Sequence, residues 1–289
     1  MSDPLLGVTV GGRYRVSRKL AEGGMGAVYE AEDLEAGGRL ALKVLHAHLH
    51  RDADMVERFR REALAATAIG DEHIVEVRGF DMLDDGSGVY MAMELLEGRD
   101  LRALIQEEGP LPVARAVHVA RQIATALSAA HAKGIVHRDL KPENVFLVER
   151  DGDPDFVKLL DFGITLGTPH YMAPEQAQAQ KDVDHRVDVY ALGVILFRML
   201  TAQHPFDDAS YPMLVLKICT DPPPPVRSFR ADVPQGLQDA IEKMLAKDRA
   251  ERFGSAVEAA EALAPFAAHD APVSLIAGRT TRERRAGAL

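Results

Sequence analysis

The chain has 289 residues, of which 47% are apolar and 27% charged, the composition of an ordinary globular protein long enough to bury a substantial core. Its 34 Lys and Arg against 44 Asp and Glu leave a net charge of −10, which disfavours general nucleic-acid binding, since that needs a broad basic surface. The single cysteine, Cys219, excludes an intrachain disulfide and a thiolate metal cluster and suits a reducing cytoplasm.

Residues 1–12 are glycine-rich, lack periodicity and read as a leader, and Met1-Ser2-Asp3-Pro4 has no basic region with an apolar run behind it, as a signal peptide requires. From Tyr14 the pattern becomes that of a strand. Tyr14 and Val16, then Val28 and Tyr29, alternate with polar residues on either side of Leu20-Ala21-Glu22-Gly23-Gly24-Met25-Gly26, which predicts a strand, a glycine hairpin and a return strand. Glycines let backbone amides approach phosphate oxygens, although an ordinary hairpin turn has the same composition. Next, Leu40-Ala41-Leu42-Lys43-Val44 sets one lysine in an apolar strand, as an edge charge or as a buried ammonium with an anionic partner. The following helix offers that partner. Met55, Phe59, Glu62, Ala66 and Ile69 recur at helical spacing, and a carboxylate inside such a stripe is costly unless paired. Between the two, His46, His48 and His50 alternate as metal ligands on an extended strand could, but no carboxylate or cysteine constellation accompanies them and a solvated connector is favoured.

Strands are predicted over residues 74–80 and 89–94, joined by the acidic turn Asp84-Asp85-Gly86-Ser87-Gly88, and strand character ends at Leu95-Leu96-Glu97-Gly98. Val113, Ala116, Ala120, Ile123, Leu127 and Ala130 then mark a long amphipathic helix. It delivers the chain to His137-Arg138-Asp139-Leu140-Lys141-Pro142-Glu143-Asn144, where Pro142 forbids a continuous helix. Asp139 and Lys141, two positions apart, can face one small volume, and Asn144 offers an oxygen suited to magnesium. Asp161-Phe162-Gly163 adds a second carboxylate seventeen residues after Asn144. Short strands over 145–147 and 157–160 would fix Asn144 and Asp161 on either side of one cleft. Each of these charges alone reads as a solvated loop residue, but together two oxygen ligands, a base and a cation are the components for moving a phosphoryl group. Further on, residues 188–200 are apolar around most of the helical circumference, which predicts a buried central helix capped by Asp188. Residues 189–197, the longest apolar block, are half the length needed to cross a bilayer. The four prolines at 222–225 read as a stiff connector or, less readily, a polyproline ligand. A last helix runs to about residue 267, and residues 269–289 read as a flexible tail.

His137 to Asn144, Asp161-Phe162-Gly163 and Ala173-Pro174-Glu175 resemble the catalytic, magnesium and substrate loops of the eukaryotic-type (Hanks-type) serine/threonine protein kinases. Gly23-Gly24-Met25-Gly26 is similar to the bacterial branch, and the likeness runs from about residue 14 to about residue 268. It implies an α+β, bilobal protein-kinase-like fold. A small antiparallel β-sheet lobe with one key helix would span residues 13–97, and a larger, mainly helical lobe residues 98–268. It implies catalytic roles for Asp139, Lys141 and Asn144, and magnesium or manganese on Asn144 and Asp161. ATP would be held by Leu20, Ala21, Glu22, Gly23, Gly24, Met25, Gly26 and Val28, by Ala41 and Lys43, by Glu62, and by Met93, Glu94 and Leu96. Within that set, Lys43 paired with Glu62 would orient the α- and β-phosphates, Val28 would roof the adenine, and the backbone of 94–96 would read its edge. Asp188 would brace the catalytic-loop backbone and Arg252 would pair with Glu175. The reaction implied is transfer of the γ-phosphoryl group of ATP to serine or threonine hydroxyls of protein substrates, the chain itself included through a transient homodimer. No nucleic-acid partner and no membrane span are expected, and the expected compartment is the cytoplasm, for the chain alone or as part of a longer membrane-anchored protein.

Two departures stand out. Ala21 occupies the first glycine position of the family's loop, which costs flexibility but no charge. Only nine residues, 164–172, stand where these kinases carry a considerably longer activation segment; at about 3.3 Å per residue they reach at most about 30 Å. A naturally short loop, an engineered deletion and an omission of residues all give this pattern; Ile164 reads as one end of the usual loop and Thr165-Leu166-Gly167-Thr168 as the other, which favours omission. Arg138 beside Asp139 resembles kinases whose loop is phosphorylated, and Thr165 is the expected site, with Thr168 engaged as a link to Asp139 and Lys141. A nucleotide-binding pseudokinase is the rival from another class, but Lys43, Asp139 and Asp161 are all present. A small-molecule kinase is the other, against which Gly167-Thr168 to Glu175 resembles a peptide-docking surface.

Overall fold

Alternating apolar residues and glycine turns in the first third of the chain produce a curled antiparallel sheet in the computed structural model, which describes residues 3–162 and 168–267. Its strands are β1 (Thr9–Val10), β2 (Tyr14–Glu22), β3 (Gly26–Asp33), β4 (Arg39–Leu45), β5 (Val77–Met82) and β6 (Val89–Glu94), in the order β1-β2-β3-β4-β6-β5. Tyr14, Val16, Tyr29, Leu40, Leu42 and Tyr90 bury one face of it. Helix α1 (Ala53–Ile69) starts where the Asp52 carboxylate accepts from the amides of Asp54 and Met55, and stops at Gly70, whose φ of 64° a residue with a side chain rarely adopts. Its Phe59 and Ala63 pack on Leu45, Val89 and Met91, turning the Glu62 side toward β4.

Residues 3–12, expected as a leader, instead extend the sheet. Val10 pairs with Tyr14, the Val16 amide donates to the Val8 carbonyl at 2.9 Å, and the Tyr29 hydroxyl donates to the Asp3 carboxylate at 3.0 Å. A two-residue strand is too short to display a period, so the pattern did not reveal it. The strand expected over 74–80 begins at Val77, because the preceding residues bond across to the other lobe: the Val75 amide donates to the Leu159 carbonyl at 3.0 Å and the Leu159 amide to that of His73 at 2.7 Å.

The second lobe begins with β7 (Gly98–Asp100), α2 (Leu101–Glu108) and α3 (Val113–Ala132), followed by the hairpin of β8 (Val145–Arg150) and β9 (Asp153–Leu159). The three strands form a small sheet in the order β7-β8-β9. Helices α4 (Pro174–Ala177), α5 (Arg186–Thr201), α6 (Tyr211–Thr220), α7 (Gln235–Met244) and α8 (Ala256–Leu263) complete it. As its apolar circumference predicts, α5 is buried from Val187 to Phe197. Asp188 does not cap it, however. His185 stands at the cap without a side-chain bond, and Asp188, one turn in, points at the catalytic loop. Prolines 222–225 link α6 to a short 3-10 turn at Val226–Ser228. Among the described residues no helix is long and apolar enough to cross a membrane. Residues 269–289 lie outside the described part of the chain.

The expected pair of Arg252 and Glu175 forms in full burial, with side chains 0% and 5% exposed and two parallel bonds of 2.7 and 2.8 Å. Removing one partner strands a buried charge, which costs about 3–5 kcal/mol. Arg252→Met should therefore lower the stability measured by urea unfolding by that amount; a loss under about 1 kcal/mol would contradict the role given to the pair.

Candidate functional site

The catalytic loop is held from below by one carboxylate. Asp188 accepts from the backbone amides of His137 (2.8 Å) and Arg138 (2.9 Å) and is bonded to His131 Nε2 (2.8 Å). These bonds fix Arg138 at φ 63°, a strained value for a residue with a Cβ, where the chain reverses direction just before Asp139. The His137 ring is buried, lies 4.7 Å from the Phe162 ring and bonds the Leu160 carbonyl at 3.1 Å, which ties the loop to the residues leading into Asp161.

On this base Asp139, Lys141 and Asn144 come together. The Lys141 ammonium donates to Asp139 Oδ2 at 2.6 Å, the Thr168 amide to Asp139 Oδ1 at 3.0 Å, and the Asn144 amide nitrogen to the Asp139 carbonyl at 2.9 Å. The Asn144 carbonyl accepts from the Leu160 amide at 2.9 Å, so the β8–β9 hairpin sets Asn144 and Asp161 on facing sides of a cleft. With its nitrogen committed to Asp139, the Asn144 side chain keeps an oxygen for a cation. That oxygen and the Asp161 carboxylate, 47% exposed, are hard donors of the type magnesium accepts alongside phosphate oxygens.

The first lobe answers with Lys43, whose ammonium lies 2.7 Å from both Glu62 Oε1 and Asp161 Oδ1. Burial alone would lower the Lys43 pKa, but Asp161 and then Glu62 outweigh it and raise the value. Burial, and after it the neighbouring Asp161 carboxylate, pushes Glu62 up. At Asp161 the cost of burial is overcome by Lys43, which holds the carboxyl below its ordinary range. Asp161 has φ 52°, a second strained position next to the cleft.

Beside this charge cluster lies a cavity of about 500 Å³ lined by Leu20, Ala21, Val28, Ala41, Met93, Glu94 and Leu96 of the expected set. Glycines 23 and 24, Glu22, Met25 and Gly26 form or flank the tip of the β2–β3 hairpin above it, closed by the Gly23 amide donating to the Gly26 carbonyl at 2.8 Å. A Cβ on Gly26 would stand 2.1 Å from the Val44 carbonyl, so only glycine fits there. The sequence reading missed Val75, Phe146 and Leu160 in the lining. Alternation could have found Phe146: Val145 and Leu147 are buried in the core, so the residue between them faces the cleft. It also missed the Lys158–Glu94 bridge at 2.7 Å, which joins β9 to the end of β6. Gly163 and Thr165 lie outside the described residues. Among those described, no group of three or more His, Cys, Asp or Glu side chains is arranged to hold a metal.

Residues 14–264 match the family described as the protein kinase domain. The chain is 44% identical to serine/threonine-protein kinase Pkn1 of Myxococcus xanthus over 88% of this chain and 38% of that protein. It is 35% identical to PrkC of Bacillus subtilis over 87% of this chain and 40% of that one. The crystal structure of the PknI kinase domain of Mycobacterium tuberculosis, 32% identical, superposes with a TM-score of 0.75 over 92% of this chain and 100% of that chain. The chain belongs to the protein kinase domain family, which implies use of ATP and a divalent metal ion. Its named relatives are bacterial serine/threonine protein kinases, and it spans half or less of the length of the first of them.

Two histidines beside the site make stability depend on pH. Burial lowers the pKa of His137, and burial together with the neighbouring Arg198 guanidinium and the His170 ring brings His204 down to about 4. Both stay neutral when folded at a pH where the unfolded chain takes up protons, so their contribution is complete above about pH 6.5 and is lost as the pH falls. From pH 7 to 5.5 His204 should cost about 1 kcal/mol, and His137 acts in the same direction. Urea unfolding at the two pH values should show His204→Phe losing less stability than the parent by about that amount; equal losses would contradict the assignment.

Proposed function

We propose that this chain transfers the γ-phosphoryl group of ATP to serine or threonine hydroxyls of proteins. The observation that carries the reading is the meeting of Lys43, from the sheet lobe, with Asp161, 118 residues later in the helical lobe; they stand two residues past Ala41 and one past Leu160 of an apolar cavity's lining. The adenine lies in that cavity between Val28 and Ala41 above and Phe146 and Leu160 below, with the backbone of 94–96 along its edge. Lys43, oriented by Glu62, holds the α- and β-phosphates beneath the glycine hairpin. Asn144 and Asp161 would hold magnesium or manganese ions, which neutralise phosphate charge when bound.

Asp139 orients the attacking hydroxyl and takes its proton, while Lys141, 2.6 Å away, offsets charge that grows on the transferred group. The Thr168 amide on Asp139 joins the segment leading to Ala173-Pro174-Glu175 to the reacting carboxylate, which supports a peptide as acceptor. Autophosphorylation between two copies of the chain belongs to the same proposal, as does work in the cytoplasm, alone or as part of a longer anchored protein.

The reading is tested by incubating the protein with labelled ATP, magnesium and a generic basic protein. Asp139→Asn and Lys43→Met should remain folded by circular dichroism and lose about a hundredfold or more of the transfer rate. Full activity in either folded variant would refute the role assigned to that residue.

A further inference from the structure

Of the three histidines that follow β4, one touches the nucleotide site. The backbone amide of His46 donates to the Met25 carbonyl at 2.9 Å, and its ring Nε2 lies 2.8 Å from the Gly23 carbonyl. A carbonyl only accepts, so Nε2 carries the proton. The ring is steadied by His48, stacked on it with centroids 5.6 Å apart and planes 19° from parallel.

We propose that His46 is a positioning residue for the phosphate-facing hairpin, a role that rests on the kinase reading above. Beyond the Met25 side chain, which packs against the cluster of Leu45, Phe59 and Met91, the two glycines of the hairpin tip have few other anchors. No atom lies within 4 Å of a Cβ placed on Gly24, and on Gly23 such a Cβ meets only the hairpin's own Gly26 carbonyl, at 3.9 Å. His46 grips the tip at two successive odd positions, 23 and 25, from outside the hairpin. It also stands three residues beyond Lys43, just past the end of the same strand. Loop amides and the Lys43 ammonium must address neighbouring phosphates of one nucleotide, so a residue that ties the loop to the Lys43 strand fixes the distance between them. Ala21 has already removed one source of flexibility at the loop's entry; His46 restrains its tip. The alternating histidines thus act through one imidazole on a carbonyl, with no metal needed.

The ligand that senses this is the phosphate chain and not the base, and that separates positioning from general stability. Affinities of the full chain for ATP with magnesium, and for adenosine, are measured by calorimetry for the parent, His46→Ala and His46→Gln. Loss of one solvent-facing hydrogen bond should weaken ATP about threefold to tenfold in His46→Ala and leave adenosine within about twofold. Gln keeps an N–H donor of similar reach and should recover most of the loss. Unchanged ATP affinity in His46→Ala, equal weakening of ATP and adenosine, or no recovery in His46→Gln would each overturn the proposal. A parent chain that binds no ATP would instead overturn the kinase reading.

Discussion

The sharing of one ammonium between two carboxylates is the interaction on which the site depends. Lys43, Glu62 and Asp161 come from a strand, a helix and a loop far apart in sequence, and their contacts draw the two lobes onto one point. Two carboxyl groups compete for one ammonium in a partly dry setting, which raises the Glu62 pKa and favours any further cation at Asp161. Such a cation would take over part of the Asp161 charge and leave Lys43 to Glu62 and to the phosphates. A competition of this kind makes nucleotide with its metal a better occupant of the cleft than nucleotide alone. The same competition sends the two carboxyl groups in opposite directions: burial and the Asp161 charge raise the Glu62 pKa, while at Asp161 the Lys43 ammonium and the bond with Glu62 outweigh burial and lower it.

Asp188 performs the matching task in the helical lobe. A buried carboxylate is tolerable only with several donors, and it has three: two backbone amides and an imidazole. Those amides belong to residues that must reverse the chain at a strained φ, so the strain at Arg138 is offset by charge-assisted bonds. Because α5 is buried around its circumference, Asp188 cannot shift, and Asp139, one residue past Arg138, inherits that rigidity.

Much of this was legible in the chain. A lysine in an apolar strand and a glutamate in an apolar helical stripe marked Lys43 and Glu62 as candidates for a pair, and the family resemblance joined them. The β8–β9 bracket followed from two apolar runs around a turn. What stayed hidden was of two kinds. Short or irregular pieces, such as β1 and the crossing at His73 to Val75, have no period to detect. Contacts set by distant packing leave no local trace either: acidic residues favour the first turn, so position alone reads Asp188 as a helix cap, and only the family resemblance pointed it at the catalytic-loop backbone it braces.

Lys158 and Glu94 are the sharpest case, two ordinary charges 64 residues apart in sequence. Glu94 Oε1 accepts from Lys158 at 2.7 Å and from the Glu76 amide at 2.8 Å, while the Glu94 amide donates to the Glu76 carbonyl at 2.9 Å. The backbone that lines the edge of the cavity is therefore pinned by a lysine on β9, three residues before Asp161. One strand thus governs both ends of the cleft, the edge where a base would lie and the carboxylate where phosphates would be met. A nucleotide must span those two points, and only the end of β9 and the turn at Asp161, with its φ of 52°, separate them along the chain.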